Sequence, residues 1–104
     1  MSLSLLYVTF PTEAEALTIT QELLNKRLIA CANILGPITS LYRWEDRIEK
    51  SQEVAVIFKT ISQHIQKLID QLLKLHSYET PAILELPVGK SAAPFYTWVQ
   101  KEVQ

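Results

Sequence analysis

An α+β fold of the ferredoxin-like, split βαβ type, with a long central hairpin and an extra C-terminal helix, is what this sequence predicts. Three observations lead there. The elements run strand, helix, strand, strand, helix, strand, so two strand–helix–strand halves follow one another, with a last helix behind them. The hydrophobic spacing switches between a period of two and a period of three to four along the chain. The length, 104 residues, suits a single domain spanning residues 1–104.

Residues 3–10, LSLLYVTF, are apolar and β-branched enough for a buried strand, and Pro11 stops it. Thr12 and Glu15 then form a T-x-x-E capping box, which starts a helix. Leu17, Thr20, Leu24 and Leu28 follow at spacings of three and four and are expected to face the core. Residues 30–46 read as a long strand broken at Gly36-Pro37. Beyond the break, Leu41, Arg43 and Glu45 fall on one side, and Tyr42, Trp44 and Asp46 on the other. Asp46-Arg47 is the expected tight turn. Residues 48–60 return as a strand through VAVIF, ending on Lys59 and Thr60.

Ser62 is expected to cap a second helix, whose stripe is Ile65, Leu68, Ile69, Leu72, Leu73 and His76. SYETP is a turn, AILELPV a last core strand, and residues 91–103 an amphipathic helix carrying Phe95, Tyr96 and Trp98. A straight strand of 15 residues spans roughly 50 Å. The body of a 100-residue domain has a radius of gyration near 13 Å, by contrast. The hairpin must therefore bend at Gly36-Pro37 or project past the body. A projecting hairpin has edges that need covering, most simply by another copy of the chain.

Composition narrows the function. A net charge of −1, with basic residues interleaved among acids, argues against a nucleic-acid binder. No stretch approaches the ~20 apolar residues of a membrane span, so no membrane partner is expected. One cysteine makes no intrachain disulfide, and the N-terminal residues lack the basic start of a secretory signal. Both point to a cytoplasmic location. Two glycines far apart make no phosphate loop, and no nucleophile–base or acid–base pair is recognisable, so no enzyme is expected.

The candidate metal ligands are Cys31, His76 and Glu79, at no tight ligand spacing. Each has a plainer account. Cys31 between Ala30 and Ala32 suits a small buried thiol. His76 at a helix C-terminus is favoured by the dipole. Glu79 belongs to a turn before Pro81, where loops often bind ligands. His64, off the main stripe, reads as a solvated surface residue. In the split βαβ strand order four-one-three-two, Cys31 and the start of strand four lie about 14 Å apart. Cys31 and His76 could share an ion only across a subunit boundary. For a small effector, Trp44, Glu53, Lys59 and Tyr78 are the expected pocket-lining residues.

Three blocks, LIACANILGPITSLYRWEDRIEKSQEVAVIFKT, HSYETPAILELPV and YTWV, carry the ordered set A-C-x-N, S-x-Y-x-W, E-V-x-x-x-x-K-T and Y-x-T-P. In these the chain resembles the CutA family of divalent-cation tolerance proteins over nearly its whole length. The resemblance implies a ferredoxin-like homotrimer, a role in the response to divalent metal ions, and copper binding. It also implies copper ligands at a cysteine late in strand one and at a histidine pair. Here those positions hold Val8 and Leu75-His76, and a lone imidazole without a thiolate is a weak copper site. The family's turn glycine is Asp46. Two further readings stay open: a PII-like signalling trimer binding a small effector between subunits, and a trimeric assembly module.

Overall fold

A computed structural model of the chain describes residues 2–103; Met1 and Gln104, the ends of the expected domain, lie outside the described residues. Four strands form one antiparallel sheet: β1 (Leu3–Phe10), β2 (Cys31–Trp44), β3 (Arg47–Ile61) and β4 (Ile83–Pro87), in the order β2-β3-β1-β4. That is the split βαβ order expected from the sequence. Three helices accompany it: α1 (Glu13–Asn25), α2 (Ile65–Leu75) and α3 (Ala93–Glu102).

Alternation along β1 divides the sheet into two faces. Leu6, Val8 and Phe10 turn to one side and pack with Val54, Val56 and Phe58 under α1 and α2. From the helices come Ala16, Ile19 and Leu23, then Ile65, Leu68 and Leu72. This differs from the expected stripe of α1. Leu17 is 51% exposed and Leu24 also faces out. The sheet-facing line runs one residue earlier, with Thr20 shared by both. Thr12 caps α1 as expected, its Oγ1 accepting from the Glu15 N–H at 3.2 Å. In α2, Leu73 of the expected stripe is 55% exposed. Ser62 does not cap that helix. It opens a short 3-10 turn, Ser62–His64, and its backbone N–H donates to the Ser2 carbonyl.

The hairpin carries the feature that matters most for the site. Leu35 pairs with Ala55, but the next partners along the hairpin are Ile38 and Glu53. β2 thus advances three residues while β3 advances two. The extra residue falls at Gly36-Pro37, whose peptide is cis. A Cβ on Gly36 would lie 3.1 Å from Val54 Cγ2, so the close approach of the two strands favours glycine there. A one-residue bulge exchanges the faces of everything beyond it. Tyr42 and Trp44 therefore join the face that carries Glu53 and Tyr7, away from α1 and α2. The turn is Glu45-Asp46, one residue before the expected position, with φ of 49° and 64°. Two successive left-handed residues match the twist of the strands. The body measures 45 × 26 × 22 Å, the long dimension exceeding the others as a projecting hairpin requires.

The second face is covered at one end only. There α3 packs Val99 and Val103 on Leu3 and Ile61. Further along, Leu35, Leu84 and Leu86 stay exposed, Leu84 by 57%, beside the exposed Phe95 and Trp98 of α3.

Candidate functional site

At the Phe10 end of that second face lies an open hollow of about 920 Å³. Its floor is the end of β1, through Tyr7 and Thr9. One wall is the distal hairpin, with Tyr42, Trp44 and Glu53, and the other is the turn after α2, with Tyr78 and Glu79.

His76 sets the turn in place. It ends α2, is 8% exposed, and stacks on Phe10 with ring centroids 4.6 Å apart. Its Nδ1 accepts from the Tyr78 backbone N–H at 3.0 Å. Nε2, left to donate, meets the Thr9 carbonyl oxygen at 2.7 Å. One donor and one acceptor are the full inventory of a neutral imidazole. The same turn is held from α1, where Glu15 Oε2 accepts from the Ser77 N–H at 3.0 Å and lies 3.7 Å from His76 Nδ1. Glu15 reads in the sequence as the acid of a capping box, and only the other half of that box forms. Its carboxylate is a turn anchor instead, a role no local spacing announces.

Tyr78 then reaches over the sheet edge. Its hydroxyl donates to Glu53 Oε2 at 2.7 Å. Burial pushes the phenol well above its usual range, and the hydrogen bond and charge of Glu53 push further in the same direction. The phenol is a fixed donor throughout the physiological range. Glu53 itself is only 8% exposed.

The expected metal donors are not brought together. Cys31 begins β2 on the second face, opposite Lys59, and Lys59 in turn pairs with Leu5. His76 contacts Thr9, four residues further along β1 and on the helix side. Two strand spacings and four strand residues separate them by roughly 16 Å. Both ring nitrogens of His76 are already used. Among the described residues no group of three or more His, Cys, Asp or Glu side chains is placed to hold a metal ion. A resident copper therefore does not fit the donors of one chain. Burial raises the Cys31 thiol above its usual range, with Lys59 opposing, so the thiolate a soft metal needs is disfavoured.

Of the expected pocket residues, Trp44, Glu53 and Tyr78 line the hollow and Lys59 does not. Lys59 sits at the other end of the sheet, its Nζ 5.7 Å from the centroid of the Phe95 ring. The reason is register: five residues of β3 lie between Lys59 and Glu53. Tyr7 and Tyr42 also line the hollow; alternation placed Tyr42 beside Trp44, but Tyr7 was hidden in an apolar run. His64, expected to be solvated, has its Nδ1 buried with no hydrogen-bond partner among the described residues.

Comparison with known proteins places this geometry. The family model for the CutA1 divalent ion tolerance protein matches residues 4–102. The divalent-cation tolerance protein CutA of Thermotoga maritima is 44% identical over 99 residues, covering 95% of this chain and 97% of the relative. The crystal structure of divalent ion tolerance protein CutA1 from Ehrlichia chaffeensis superposes with a TM-score of 0.94 at 40% identity, over 97% of this chain and 94% of that one. A structure from Archaeoglobus fulgidus gives 0.95 at 37% identity, covering 98% and 99% of the two chains. The last is described as a periplasmic divalent cation tolerance protein. It overturns the cytoplasmic location expected above: an unpaired cysteine and the lack of an apolar span do not distinguish the two sides of a membrane. The fold, the strand order and these full-length matches agree, and the chain belongs to the CutA1 divalent ion tolerance protein family.

Proposed function

We propose that this chain is a single-domain subunit of a homotrimer that serves tolerance of, or response to, divalent metal ions, copper being the first ion to test. The observation that supports assembly is the half-covered second face of the sheet. Leu35, Leu84, Leu86, Phe95 and Trp98 are large apolar side chains left exposed in one chain, of the kind that marks an interface. The number three comes from the family resemblance. Within a chain Cys31 lies roughly 16 Å from His76 and the turn that carries Glu79, so an ion that Cys31 shares with that turn has to bridge subunits. Calorimetry of the assembled protein with Cu(II) tests this. Binding weakened by both Cys31→Ser and Glu79→Gln supports the bridging site; no heat from the unmutated protein contradicts it.

A second reading, an effector-binding trimer of the PII kind, draws on the hollow. With Lys59 at the far end of the sheet, that reading rests on Trp44, Glu53 and Tyr78.

A further inference from the structure

We draw no further inference here: the strongest candidate, the helix-side face of the projecting hairpin, where Leu41 and Ile48 stand exposed beside Lys50 and Arg43, carries none because nothing in the structure shows what covers it.

Discussion

The hydroxyl of Tyr78, on the turn after α2, donates to the carboxylate of Glu53, on β3, across 2.7 Å. The bond ties the turn to the hairpin over the end of β1 and closes one side of the hollow. Tyr78→Phe removes the donor that Glu53 Oε2 has in its buried position. Hydrogen bonds to charged groups contribute about 1.5–3 kcal/mol, and a loss in that range is expected in urea denaturation at pH 7. The pH dependence has a definite sign. The folded phenol titrates above the unfolded one, near pH 10. Its contribution is complete below about pH 10 and is lost as the pH rises from there toward the folded value. The unmutated protein should therefore lose stability above about pH 10 more steeply than Tyr78→Phe.

His76 holds the turn rather than standing ready for an ion. His76→Ala removes a ring stacked on Phe10 and strands both the Thr9 carbonyl and the Tyr78 N–H. Cavity and lost hydrogen bonds together should cost about 3 kcal/mol. The loss should be the same with and without a chelator, measured by denaturant midpoint. A loss that appears only with copper present would mean that the imidazole serves as a ligand.

Glu45 and Asp46 hold left-handed backbone that favours Asn and Gly. Replacing the pair by Asn-Gly should stabilise the hairpin by about 1 kcal/mol, seen as a higher Tm. An unchanged or lower Tm would show that the acidic side chains make contacts in the assembly that offset the strain.

Cys31 should react slowly. Burial holds its thiol above the usual value. Its alkylation rate should still be rising with pH beyond about 8.5. Lys59→Gln should move the profile higher still, because the opposing cation is gone. A rate already maximal at pH 7 would contradict this.

Much of the fold was legible because β1, VAVIF of β3 and the spacing Ile65, Leu68, Leu72 of α2 each carry one unambiguous period. The errors have physical causes. In α1 the sheet-facing line includes Ala16, which has little hydropathy signal but allows close approach, while Leu17 and Leu24 look like core and face outward. The turn slipped by one residue because neither Glu45 nor Asp46 advertises a left-handed backbone as glycine would. Of the site, Trp44, Glu53 and Tyr78 could be named from strand and turn positions. Lys59 was misplaced because proximity in sequence to VAVIF says nothing about which end of the sheet it occupies. The anchoring by Glu15, 62 residues from Ser77 along the chain, left no local trace at all.

The central claim is that the exposed second face of the sheet is an assembly surface. Light scattering during gel filtration tests it most directly. The unmutated protein should elute as three chains of 11.9 kDa each, and Leu84→Arg should shift the mass toward that of one chain. A single-chain mass for the unmutated protein at micromolar concentration would contradict the account.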